Sequence, residues 1–236
     1  MSAVEQSAFG PFFTVERHAA HTTPLPPWRP LVELADGSRS LGDRIDGVRG
    51  SLAARIAKDP AEVDLRVAAS VAHLGVIARI LAPTIATAVC GDLRISQELN
   101  ELWWQDQLGG PFPLSVLEED TSDRDGEDTA TPGPAIESIT QCVLDETGVS
   151  DRVLWGNVGS AANSAAQLIA ATRPDLTHAA REVANTYLRD PRIDDGALRA
   201  GPDFRRRSCC LIYQLTDDRS AVCGDCVLET KPARSG

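Results

Sequence analysis

Four of the six cysteines lie within eighteen residues near the C-terminus. Cys209 and Cys210 are neighbours, and Cys223 and Cys226 bracket Gly224 and Asp225. Thiolates grouped in this way bind zinc or iron–sulfur clusters. A Cys-x-x-Cys knuckle turns two sulfurs to one side. Gly224 is expected to take φ > 0 there, aiming backbone N–H groups at the sulfurs, where such bonds help set a cluster's potential. The adjacent pair is harder to place. In an extended strand neighbouring side chains point to opposite faces, whereas two sulfurs on one tetrahedral ion, with bonds of about 2.3 Å, sit roughly 3.8 Å apart. Cys209 and Cys210 therefore need a bent backbone, or a binuclear centre in which each takes a different iron. The spacing leaves three readings open: a [2Fe–2S] cluster, a four-cysteine zinc site, and disulfides or free thiols. Zinc sites usually show two knuckles, and here one is replaced by the adjacent pair.

An oxidised [2Fe–2S] centre on four thiolates carries a formal charge of about −2, and reduction adds one more negative charge. Arg205, Arg206 and Arg207 immediately precede the first ligand. Positive charge there eases reduction and suits the docking of an acidic ferredoxin or an anionic chelate. Cys90 and Cys142 stand apart in apolar surroundings and are expected to be small core residues. His18 and His21 lack companion ligands and read as surface histidines. There is no Gly-rich nucleotide loop and no Ser/His/Asp signature.

The elements that must position the cysteines are mainly helical. Val63, Val67, Val71, Leu74 and Ala78 recur at helical spacing and predict a helix over 61–81, with His73 on its flank. Pro83 is expected to start a second helical segment ending at Gly91. A short helix is expected over 51–58, since Gly37, Gly42, Gly47 and Gly50 interrupt what precedes it. Residues 102–116 read as a hairpin whose second arm, bearing Pro111 and Pro113, lies at an edge. Trp103 and Trp104 then face opposite ways, one into the core and one toward a substrate. Helices follow over 134–147, 150–172 and 175–189. They bury Ile136, Ile139, Val143 and Leu144; then Val158, Ala161, Ala162, Ala165, Leu168 and Ile169; then Leu176, Ala179, Val183 and Leu188. Leu211 to Leu215 is β-prone and is expected to return through a turn to Val222 and Cys223.

At 236 residues, 42% hydrophobic and 5% aromatic, the chain has enough apolar material for a sizeable core of aliphatic side chains. The net charge of −11 argues against nucleic-acid binding and against docking on an anionic membrane. No run of apolar residues is long enough for stable membrane insertion, and the N-terminal residues carry no leader pattern. A cytoplasmic location is expected, where clustered cysteines favour metal over disulfides. Four prolines between Pro24 and Pro30 argue against regular structure in the N-terminal arm, with Phe12, Phe13 and Trp28 packing it on the body. The acidic run 118–134 is expected to be an insertion without fixed structure.

The run Arg206-Arg207-Ser208-Cys209-Cys210-Leu211-Ile212-Tyr213, followed by Cys223-Gly224-Asp225-Cys226, resembles the siderophore-iron reductase (FhuF-like) family. Leu154-Trp155-Gly156-Asn157-Val158 is similar to that family's Trp-Gly-Asn segment. Weaker similarity runs through Ala72-His73-Leu74-Gly75, Ala78-Arg79 and Gly109-Gly110-Pro111. The twelve-residue gap between Cys210 and Cys223 is longer than the family's usual one, and a longer surface turn costs little. The resemblance implies a [2Fe–2S] cluster on Cys209, Cys210, Cys223 and Cys226. It also implies reduction of ferric iron held in a siderophore, of hydroxamate type by family analogy. The electron would come from an external donor such as a ferredoxin or flavoprotein. Arg205, Arg206, Arg207, Trp155 and Tyr213 are candidates for substrate or donor docking, with Trp103 and Trp104 as further pocket walls. The expected architecture is α+β: a predominantly helical body over 1–200 with a small β-hairpin, and a C-terminal iron–sulfur hairpin cap over 201–236. Two other classes remain: an electron carrier or redox sensor without a siderophore, and a zinc-stapled binding module. Helical domains of this family also resemble part of the siderophore synthetases, but the missing nucleotide site disfavours synthesis.

Overall fold

The computed structural model of the protein describes residues 8–20, 22–90, 95–117, 132–216 and 223–228. Five helices build an α+β body around one of their number. We label them α1 (Ser40–Arg55), α2 (Leu65–Cys90), α3 (Pro134–Thr147), α4 (Asp151–Thr172) and α5 (Thr177–Leu188). Helix α2 is apolar on nearly every side and packs against the other four, most extensively against α4. By length and composition it could cross a membrane, but 67% of its most apolar stretch is buried inside the protein. It is the core helix that the other elements cover.

Pro83 does not divide this helix, as its lack of an N–H suggested it would. An interior proline costs about 3 kcal/mol. Ile80, Leu81, Ile85 and Ala86 beside it are all essentially inaccessible, and burying each large aliphatic side chain contributes roughly 1.5–3 kcal/mol. Packing therefore outweighs the missing bond. Helix α1 likewise begins at Ser40 rather than Ser51. Leu41, Ile45, Val48 and Leu52 form a continuous stripe at helical spacing, which overrides the propensity cost of its glycines. A Cβ at Gly47 would lie 2.9 Å from Cδ1 of Leu108, the free end of an exposed side chain that can move aside.

A four-stranded sheet flanks the helices. Its strands are β1 (Glu16–His18), β2 (Arg29–Pro30), β3 (Leu102–Trp104) and β4 (Leu114–Leu117), in the order β1-β4-β3-β2. The expected hairpin is β3–β4, with Trp103 opposite Ser115. Its second arm is not an edge, because β1 adds in parallel to β4. Pro111 and Pro113 precede the paired residues, so neither removes a donor from the ladder. The N-terminal arm contributes two strands despite its prolines. Phe13 is fully buried, while Phe12 and Trp28 are partly buried. Arg79 fastens the arm to the hairpin, donating to the carbonyls of Phe112 (2.7 Å), Phe12 (2.8 Å) and Thr14.

Helices α3 to α5 fall where the periodicity placed them. On α4, however, Leu168 is exposed rather than inward. On α5 the buried face is Ala180, Ala184, Tyr187 and Leu188, so Ala179 and Val183 are only partly covered. Cys90 and Cys142 are half-buried at the margin of the core rather than inside it. His18 is half-buried and hydrogen-bonded to Ser115 (2.8 Å), and burial lowers its pKa. His21 and nearly all of the acidic run 118–134 lie outside the described residues.

Candidate iron–sulfur site

The C-terminal segment is not a hairpin among the described residues. Leu211 takes a left-handed conformation (φ 69°), and Ile212–Leu215 forms a 3₁₀ turn. The left-handed residue directly after Cys210 supplies the backbone bend that two adjacent cysteine ligands require. Gly224, by contrast, is not in a positive-φ conformation. The chain reverses between Cys223 and Cys226 through a Cys226 N–H bond to the Cys223 carbonyl (3.0 Å).

These turns bring the thiols together. The Cys223 thiol donates to Cys210. This bond, aided by the Ile212 N–H and the charge of Arg206, pulls the pKa of Cys210 down to about 6 against the effect of burial. The same bond, together with burial, raises that of Cys223. Cys209 lies within electrostatic reach of both Cys210 and Cys226, and burial raises its pKa. Backbone N–H groups already point at sulfur: Leu211 at Cys209 (3.4 Å) and Leu228 at Cys226 (3.3 Å). Among the described residues no three His, Cys, Asp or Glu side chains form a set that could hold a metal ion. The thiols thus meet in pairwise contact rather than around one closed centre. A binuclear core, with two thiolates per iron, asks for less convergence than a single tetrahedral ion.

The three arginines have separate fates. Arg205 and Arg207 are exposed, whereas Arg206 is 1% exposed. Its backbone N–H reaches the Asp225 carbonyl (3.3 Å), joining the two halves of the cysteine motif. Its guanidinium donates to the Ser208 carbonyl (2.6 Å), Asn157 Oδ1 (2.8 Å), the Val153 carbonyl (3.0 Å) and Ser208 Oγ (3.3 Å). It therefore ties the motif to the first turns of α4. Gly156 makes that approach feasible: a Cβ there would sit 2.1 Å from Ser208 Oγ and 2.8 Å from Arg206 Nη2. The Trp-Gly-Asn segment is thus the seat of the cysteine loop.

Behind Asn157 runs a buried chain of hydrogen bonds whose direction is fixed. Arginine can only donate, so Asn157 Oδ1 accepts and its Nδ2 donates onward, to the Ser70 carbonyl (3.0 Å) and His73 Nδ1 (3.4 Å). Thr140 Oγ1 donates to the Ile136 carbonyl (2.6 Å) and therefore accepts from His73 Nε2 (3.0 Å). His73 is a buried relay rather than a helix-flank residue. Burial, reinforced by the positive charge of Arg206, lowers its pKa to about 3.

Trp155 is 9% exposed, and Arg192 stacks over its ring at 4.0 Å. Both line a cleft of about 490 Å³ with Glu137, Thr140, Cys142 and Asp151. Arg192 is held by Glu137 (2.8 Å) and Asp190 (2.6 Å). Tyr213 is partly exposed beside the cysteines, its hydroxyl accepting from Gln214 (3.3 Å). Trp104 is no pocket wall: it is fully buried and donates to Glu33 (2.8 Å). Trp103 on the opposite face is partly exposed. Sequence reasoning missed Asn157, His73, Thr140 and Ser208 as partners of the motif. The similar segments contained Asn157, His73 and Ser208 without showing that they meet, and Thr140 carried no signal. Nothing in the run of three arginines distinguished Arg206.

A thiolate-rich loop seated on a helical body is the arrangement of an iron–sulfur protein. Residues 206–228 match the FhuF 2Fe-2S C-terminal domain, so this segment is a [2Fe–2S] domain of that type, consistent with an FhuF-like protein. Neither the curated proteins nor the solved structures give a match to the chain. The residues present suit the cluster: Cys210 and Cys223 in contact, Cys209 within electrostatic reach of Cys210 and Cys226, N–H donors on sulfur, and the buried Arg206 nearby. Cys209, Cys210, Cys223 and Cys226 would hold it.

Proposed function

We propose that the protein is a ferric-siderophore reductase acting in the cytoplasm. The observation that carries this reading is the FhuF-type [2Fe–2S] segment at residues 206–228, whose loop Arg206 and Ser208 seat on α4. When bound, the cluster supplies one-electron exchange. The electron balance is simple: one electron enters from an external ferredoxin or flavoprotein, and one leaves to convert Fe(III) in the chelate to Fe(II). Hard oxygen ligands of the hydroxamate type grip Fe(III) more tightly than the larger, less charged Fe(II), so reduction releases the metal.

The chain's own residues supply position and access. Leu211 bends the backbone after Cys210, and Arg206 and Gly156 fix the loop against α4. Cys209 and Cys223 are partly exposed and Gly224 is exposed, so the metal-binding face is open to a partner. Arg205 and Arg207, exposed on the same loop, suit an acidic donor. The cleft walled by Trp155 and Arg192 adjoins the helix turn that carries the motif, and it suits the organic part of a chelate. No proton transfer or covalent step is required of the protein.

The test is anaerobic turnover of a ferric hydroxamate siderophore with a reduced ferredoxin and a ferrous trap. The wild-type chain is expected to form trapped Fe(II) catalytically and the C223S variant to lose that activity. A loaded wild-type protein that exchanges electrons with the donor but leaves the siderophore ferric would instead be a carrier or sensor. A colourless protein with one zinc and no acid-labile sulfide would be a binding module.

A further inference from the structure

We propose that Arg206 is the built-in counter-charge of the cluster, and that the buried Asn157–His73–Thr140 chain is the device that keeps it oriented and unneutralised. This rests on the reading that the four cysteines hold a [2Fe–2S] centre.

A guanidinium is always protonated, and burying an uncompensated charge is costly. Arg206 is 1% exposed, yet among the described residues no carboxylate lies within ion-pair distance of it. All its side-chain partners are neutral: two carbonyls, a hydroxyl and the Asn157 amide. Asp225 feels its charge but makes no ion pair with it. Besides Asp225, the groups within its field that can carry negative charge are the thiols of Cys209, Cys210 and Cys223. Arg206 is bonded through its backbone to Asp225, between Cys223 and Cys226, and through its side chain to Ser208, next to Cys209.

The supporting chain is polar but carries no formal charge. Asn157 offers its oxygen to Arg206 because its nitrogen is committed to Ser70 and His73. His73 presents a bare Nδ1 because its Nε2–H is committed to Thr140. Each member fixes the orientation of the one before it, and none contributes a negative charge that would cancel the arginine. An aspartate at position 157 would fill the same space and pair with Arg206 directly. With asparagine there, the positive field is left directed at the cluster. Arg206 is a positioning and tuning residue: its charge favours the more negative, reduced state.

The test is a redox titration of the purified holoprotein, read by absorbance and electron paramagnetic resonance. R206Q is expected to reduce the ratio of reduced to oxidised cluster at a fixed potential about tenfold, a downshift of about 59 mV for a one-electron couple. R206K keeps the charge and loses the fork, so its potential is expected to stay near wild type while cluster retention falls. Should R206Q fail to hold a cluster, N157D gives the second reading. It leaves Arg206 in the chain but neutralises its field, and its potential is expected to fall in the same direction. Equal potentials in wild type, R206K and whichever of R206Q and N157D retains a cluster would overturn the proposal and leave the arginine a purely structural bolt. A wild-type chain without iron and sulfide would overturn the functional reading as well, so the two failures are distinguishable.

Discussion

Arg79 and Arg206 are both buried arginines that donate to backbone carbonyls, and they serve different ends. Arg79 is 2% exposed and takes three carbonyls, from Phe12, Thr14 and Phe112. Among the described residues nothing anionic pairs with it, and burial lowers its pKa to about 10. It is a rivet, joining the N-terminal arm and the hairpin to α2. Arg206 makes a similar set of bonds but sits within electrostatic reach of Cys209, Cys210 and Cys223, at the head of a polar chain that steers it. The same side chain is structural where carbonyls alone surround it and electrostatic where sulfur lies nearby. Bond counts do not separate the roles; the neighbouring charges do.

The comparison can be broken most forcefully at the rivet. R79L leaves the buried Phe112 carbonyl and the partly buried carbonyls of Phe12 and Thr14 without their donor, at about 1–3 kcal/mol for a buried one and less for the others. It is expected to lower unfolding stability by about 4 kcal/mol in chemical denaturation, with the potential of any loaded cluster unchanged. A shifted potential would erase the distinction between the two arginines.

The next effect is acid sensitivity on the Arg206 side. His73 has a folded pKa of about 3 against an unfolded value near 6.5. The unfolded chain therefore binds the extra proton first as pH falls. The neutral imidazole's contribution is fully present above pH ~6.5 and is lost as pH drops from there toward 3. The slope is about 1.4 kcal/mol per pH unit. Denaturant midpoints measured across this window should show the slope in wild type and lose it in H73Q.

A smaller effect separates two glycines. G156A forces a methyl into Ser208 and Arg206 and is expected to cost about 1–3 kcal/mol, together with cluster content measured as iron and sulfide. G75A lies in α2 with nothing within 4 Å of the added Cβ. It is expected to stabilise by roughly 0.5–1 kcal/mol and leave the cluster content unchanged, as thermal melts and metal analysis would show.

How much of this could be read beforehand follows the same division. The three later helices are legible because their apolar positions repeat at helical spacing, from Ile136 to Leu188, with few contrary residues. The cysteine motif is legible because sulfur chemistry restricts its spacing. Helix α1 and the passage of α2 through Pro83 were obscured because Gly42, Gly47, Gly50 and Pro83 vote locally against helix, while packing partners distant in sequence decide. The strands of the N-terminal arm depend on β3 and β4 to pair with, and nothing near Glu16 or Arg29 announces them. Arg206 was hidden between two exposed arginines, and only the placement of α4 distinguishes it. The positive φ expected at Gly224 is absent, whereas the bend that the adjacent pair Cys209–Cys210 requires falls on Leu211, which the surrounding loop holds in a conformation that a leucine rarely takes.

Gly224 is exposed, and a Cβ there would meet nothing within 4 Å. Among the described residues, then, nothing crowds this side of the loop. On the proposed reading, access for a bulky chelate and fragility in air are two faces of one opening, and a larger side chain at position 224 is expected to trade one against the other.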